Sequence, residues 1–179
     1  MKPWMACLTA AVLAMTPTAA PAQDAKLHSI LADDGKDIAY TPCDPEEAAE
    51  CIAHVISCRG SEEFGDGFAI TLMGAQDNPD ARKLASALLA RDYGKALVVV
   101  SLGDGTRVDL PVQIITVSTN EMNADWDLWL FTYDQSNFFS ALTDKTAADV
   151  RADIAGYRVV LSDDEASAAN LLKFGKACS

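Results

Sequence analysis

Four cysteines constrain this chain more than any other feature: Cys43, Cys51, Cys58 and Cys178. They remain from five once the first segment is set aside. Met1–Lys2 is a short positive start, Ala6 to Met15 is an uncharged apolar run, and Ala20-Pro21-Ala22 offers small residues where a signal peptidase reads. The expectation is a signal peptide over 1–22 and one disulfide-stabilised domain over 23–179. The apolar run is too short to span a bilayer, which needs roughly 20 apolar residues. A lipoprotein would need Cys7 as acceptor, but almost no apolar core precedes it. An exported chain with an even number of cysteines reads as a disulfide framework. The expected location is therefore the periplasm or the exterior of a Gram-negative bacterium.

Four cysteines allow three pairings. Cys51 and Cys58 flank a β-like run, and one strand would hold them roughly 20 Å apart, whereas a bridge needs Cα atoms within about 7 Å. The preferred pairing is Cys43–Cys51 with Cys58–Cys178; Cys43–Cys58 with Cys51–Cys178 is the alternative. The short bridge requires the helix start at Asp44-Pro45-Glu46-Glu47 to be a single turn, because an unbroken helix would separate Cys43 and Cys51 by about 12 Å. The long bridge would tie a C-terminal helix to an early strand.

Between the bridges the chain reads mostly as strands. Leu27–Leu31 and Ile38–Tyr40 flank a turn at Asp33-Asp34-Gly35-Lys36. Ile52–Cys58 and Phe68–Leu72 follow as strands, the second alternating with Phe68, Ile70 and Leu72 inward. Asn78-Pro79-Asp80 opens a helix with an Ala81, Leu84, Ala85, Leu88, Leu89 stripe, closed at Gly94. Ala96–Val100 is continuously apolar, so the expectation is a central strand buried on both faces. Gly103-Asp104-Gly105 turns into Thr106–Leu110, and Pro111 places that strand at an edge or ends it. Further strands are expected at Ile114–Ser118, Trp126–Tyr133 and Ile154–Leu161, with a short helix from Phe138. Ser162 with Glu165 reads as a capping box opening the last helix. The fold class expected is mainly β with helical inserts, an antiparallel two-layer sandwich or partly open barrel with the C-terminal helix packed on it. A helix covering one side of an α+β sheet is the alternative.

The early spacing of Cys43 and Cys51, with the late strand Gly156-Tyr157-Arg158-Val159-Val160-Leu161-Ser162 leading into a small capped helix, resembles the small secreted alphaproteobacterial β-rich proteins of the invasion-associated locus B type. The resemblance covers about a third of the chain. It departs from that family in a C-terminal helix running on to Cys178 and in lacking a central cysteine pair. It implies an exported β-rich protein linked to the envelope or a host, and it brings no catalytic residues.

The formal charge is −12, and becomes −13 without residues 1–22, which carry one lysine and no acid. With the basic residues scattered singly, this excludes a nucleic-acid partner on electrostatic grounds. The two histidines, His28 and His54, lie near no Gly-x-Ser-x-Gly elbow; His54 is expected in an early strand, facing solvent or hydrogen-bonded in the core. The cysteine spacings are not those of a zinc site. The acid-and-glycine loops at 33–37, 62–67 and 103–105 lack EF-hand spacing and read as turns. No metal or cofactor is expected. Alternation puts Asp125, Asp127 and Trp129 on one face of a strand, which would offer a platform for carbohydrate or peptide; the favoured reading is that Trp126, Leu128 and Leu130 opposite are core and Trp129 packs under a loop. Two function classes follow. The favoured one is an exported non-catalytic module that binds or inhibits a protein or envelope component. The alternative is a small carboxylate-dependent hydrolase of glycan or peptide using Asp125 and Asp127 about 5–10 Å apart.

Overall fold

The computed structural model describes residues 26–44, 46, 51–59, 65–74, 79–90, 96–120 and 125–179. The expected leader, the helix start at Asp44-Pro45-Glu46-Glu47 beyond its first and third residues, and the Asn78 and Gly94 caps lie outside them. Ten strands and three helices are described. They run β1 (His28–Leu31), β2 (Asp37–Thr41), β3 (His54–Ser57), β4 (Phe68–Leu72), α1 (Pro79–Leu89), β5 (Ala96–Ser101), β6 (Arg107–Val112), β7 (Ile114–Asn120), β8 (Asp125–Thr132), α2 (Ser136–Ala141), β9 (Val150–Ile154), β10 (Tyr157–Ser162) and α3 (Glu165–Ala177). One antiparallel sheet has the order β1-β2-β3-β4-β8-β7 and the other β10-β9-β5-β6. Neither closes on itself, so the chain is a mainly β, two-layer sandwich with helical inserts.

Period-two alternation builds the core between the layers. Ile38, Tyr40, Ile56, Phe68, Ile70, Leu72, Leu128 and Leu130 point in from the six-stranded sheet. Val98, Val100, Leu110, Ala152, Ile154 and Val159 meet them from the four-stranded one. At one end Phe68 gathers Phe138 of α2 and Phe174 of α3, with ring centroids 5.5 and 6.2 Å away. Such tilted and edge-on contacts stabilise beyond the area they bury.

The bridges are Cys43–Cys51 and Cys58–Cys178, with Cα–Cα distances of 6.3 and 5.8 Å. The long one fastens the end of α3 beside β3. Asn170 Nδ2 donates to the Ser29 carbonyl at 3.1 Å and holds the helix against β1 as well.

Several local expectations are corrected by tertiary structure. The Ala96–Ser101 strand is buried on one face only, with Leu97 42% exposed, because an antiparallel two-layer sheet leaves its outer face to solvent. Residues 154–161 are not one strand. The chain turns at Ala155 and Gly156, whose φ values of 53° and 91° give the left-handed pair of a tight hairpin, and Val150–Ile154 is a strand of its own. The cap of α3 is not Ser162. Asp164 accepts from Ser167 N at 2.9 Å in a reciprocal box with Ser167. Ser162 is buried at the end of β10, where its hydroxyl accepts from Val150 N at 3.1 Å and donates to the Ala147 carbonyl. Pro111 does lie in an edge strand, β6, which bends at Gln113 and continues into the other sheet as β7.

Candidate functional site

Side chains of β8 alternate between the core and the outer face of the six-stranded sheet. Leu128 and Leu130 go in; Asp127, Trp129 and Phe131 go out, and Tyr133 continues the stripe beyond the strand. Register extends Trp129 into a row across every strand: Ile30, Ala39, Val55, Thr71, Trp129 and Thr116 are successive cross-strand partners. The row is uncharged. Trp129 is 37% and Tyr133 47% exposed. Between them Phe131 is nearly covered, its ring edge-on to Tyr133 with centroids 4.9 Å apart. Trp129 Nε1 donates to Ser118 Oγ at 3.0 Å, which fixes the indole over the sheet. A depression of about 310 Å³ begins at Tyr133 and is lined also by Gln135, Phe139, Ser140 and Ser179.

Of the three residues singled out on this strand, Trp129 and Asp127 share the outer face. Asp127 is 9% exposed and accepts from Gly74 N at 3.3 Å, so its carboxylate holds the turn after β4. Asp125 opens β8 opposite Asn120, and its side chain lies outside the description. Phe131 and Tyr133 were not singled out in the sequence, although extending the same alternation by two and four residues reaches both.

The acid-and-glycine loops at 33–37 and 103–105 hold turns, while 62–64 of the 62–67 loop lie outside the described residues. Asp34 Oδ1 accepts from Lys36 N at 3.1 Å. Asp104 Oδ1 accepts from Thr106 N at 2.9 Å, and that bond holds its carboxyl below the usual range. Among the described residues no three of His, Cys, Asp and Glu are grouped to hold a metal.

His54 is walled in between the sheets. Its Nε2 lies 3.0 Å from the Val160 carbonyl. A carbonyl only accepts, so Nε2 carries the proton. Burial, partly opposed by that bond, lowers the imidazole pKa to about 4, and the ring is neutral at pH 7.

An aromatic stripe crossed by an uncharged row of side chains defines the class of this molecule by geometry: a disulfide-stapled β-sandwich with a surface suited to apolar and stacking contacts. No family model, curated protein or solved structure matches the chain. No described helix is long and apolar enough to cross a membrane.

Proposed function

We propose that the protein is an exported, non-catalytic binding module that engages an envelope or extracellular partner through the outer face of its six-stranded sheet. The observation that carries this reading is the pair of exposed aromatic rings, Trp129 and Tyr133, on either side of the covered Phe131. Aromatic side chains offer large contact area with a polar tip at little entropic cost, which suits them to binding surfaces. The neutral row through Trp129 costs a partner little desolvation. The two bridges support export, since disulfides persist in oxidising compartments. A tie to the invasion-associated locus B type belongs to the same reading.

The test is capture from an envelope extract by the oxidised protein and by Trp129→Ala side by side. A partner retained by the parent and lost with Trp129→Ala, at equal thermal stability, is the expected result. Equal capture by both would move the binding surface elsewhere. Fractionation tests the export half: the reading requires a periplasmic or external product without free thiols.

A further inference from the structure

The outer face of the four-stranded sheet, on the opposite side of the sandwich, has a different character. Three of the six arginines in the sequence, Arg107, Arg151 and Arg158, line one depression of about 440 Å³ with Val99, Ser101 and Asp153. Register brings them together from three strands. Ser101 of β5 lies opposite Arg151 of β9 and opposite Arg107 of β6. Two strand spacings set the two arginine stems about 10 Å apart, with the exposed Ser101 hydroxyl between them. Arg158 of β10 lies opposite Asp153, one row along.

Three guanidiniums against one carboxylate give the lining a formal charge of +2 in a chain of −12. Asp149 and Asp109 stand just outside the lining and offset this charge over the wider face, so the excess is local to the depression. Asp153 Oδ1 accepts from Gly156 N at 3.0 Å in the hairpin turn. Asp149 takes Arg151 Nε at 2.8 Å and so orients that guanidinium. Arg107 and Arg158 form no ion pair within 4.0 Å among the described residues. Asp109 stands on the same face opposite Val99, outside the lining.

We propose that this depression binds a phosphate dianion, either free inorganic phosphate or a monoester carried on a sugar. A phosphate monoester carries about −1.5 to −2 charges near pH 7, which the two guanidiniums outside any ion pair among the described residues, Arg107 and Arg158, can meet. The arginine fork makes paired hydrogen bonds to phosphate oxygens, and the Ser101 hydroxyl adds a donor. The volume falls in the range of about 300–1,000 Å³ typical of small-ligand sites.

The test is calorimetric titration of the oxidised protein at low salt with inorganic phosphate, glucose 6-phosphate and glucose. Both phosphates bind and glucose does not. Tighter binding of the sugar phosphate assigns a carried group, and equal binding assigns phosphate itself. Arg107→Gln with Arg158→Gln weakens binding about ten-fold or more, since each removes a charged hydrogen-bond donor. Both side chains are exposed, and circular dichroism checks that the fold is kept; Arg158→Gln alone serves if the pair expresses poorly. The exposed control Lys83→Gln changes nothing. Trp129→Ala also leaves phosphate binding intact, so failure here and failure of the aromatic face are separate results. Absence of binding by about 20 mM phosphate, weaker than the mM end of the affinity scale, or an Arg107→Gln/Arg158→Gln protein that binds like the parent, overturns the proposal.

Discussion

The Tyr40 ring lies flat on the His54 imidazole, centroids 4.4 Å apart and planes 15° from parallel. The two residues are cross-strand partners on β2 and β3, and each reaches the opposite layer. Tyr40 Oη donates to the Leu161 carbonyl at 2.7 Å, and His54 Nε2 donates to that of Val160 at 3.0 Å. Consecutive carbonyls of a regular strand point to opposite sides. Here the register of β10 shifts between Val160 and Ser162, and a bulge of that kind re-aims the backbone. The stacked pair thus joins the sheets through an edge strand.

This arrangement makes stability depend on pH. The folded protein holds His54 neutral down to about pH 4, whereas an unfolded histidine takes up a proton near 6.5. The stabilisation is complete above about pH 6.5 and is lost as pH falls through 4, because the unfolded state binds the proton first. The full loss is about 3 kcal/mol at 1.36 kcal/mol per unit. Urea unfolding at pH 7, 5.5 and 4.5 measures it. His54→Gln keeps a donor for Val160 without titrating, so its stability is flatter across that window. Equal slopes for parent and variant would place the titration elsewhere.

The two bridges differ in what they constrain. Cys58–Cys178 closes a sequence separation of 120 residues, and Cys43–Cys51 one of 8. Loop-closure entropy gives about 5 kcal/mol for the first and about 2.5 kcal/mol for the second. Replacing both cysteines of a pair by serine should therefore lower the melting temperature more for the long bridge. Equal losses would mean that the long loop is already ordered in the unfolded ensemble.

How much of this was legible in the sequence follows from how far apart the deciding contacts lie. Spacing removes one of the three cysteine pairings, because a strand between Cys51 and Cys58 keeps them apart; only the fold decides for Cys43–Cys51 with Cys58–Cys178 over the remaining alternative. The Phe68–Leu72 strand could be read from alternation. The hairpin of β9 and β10 could not: its turn is Ala155-Gly156, and alanine in the left-handed region is no turn signal. Three candidate caps stand together at Ser162, Asp163 and Asp164. The distant Ala147 and Val150 engage Ser162 and remove it from the choice, and the bonds from Ser167 make Asp164 the cap. The arginine depression is least legible, since strand register alone brings its members together. The aromatic stripe was within reach, as it needs only alternation continued past Trp129.

The Asp164 cap supplies a sharper local test. Its carboxylate accepts from the backbone and side chain of Ser167, 2.9 Å each, and meets Lys26 Nζ at 3.3 Å. The Ser167 bonds, and then Lys26, hold its pKa down at about 2. Its contribution is present above the ordinary carboxylate range and is lost as pH falls through 2, well below the His54 window. Asp164→Ala should cost about 1 kcal/mol at pH 7, while Lys26→Ala costs much less, because an exposed pair is worth little. Chemical denaturation of the two variants separates the cap from the ion pair. An equal loss in both would overturn the assignment to Ser167.

Gly67 joins the core to the aromatic face. A methyl group there would collide with the Phe131 ring and stand 2.8 Å from the Thr132 carbonyl oxygen. The carbonyl belongs to a paired strand and cannot withdraw, so the backbone at residue 67 must back away from it and the ring must yield as well. Phe131 is edge-on to Tyr133, and its displacement would carry that exposed ring with it. Gly67→Ala should destabilise by about 1–3 kcal/mol, as overpacking does, and change the near-ultraviolet circular dichroism while the far-ultraviolet signal holds. If the aromatic face binds the partner, the same variant weakens capture although no residue of the face has been replaced. An unchanged near-ultraviolet spectrum would show that Phe131 moves independently of Tyr133, and the stripe would then be two separate rings rather than one surface.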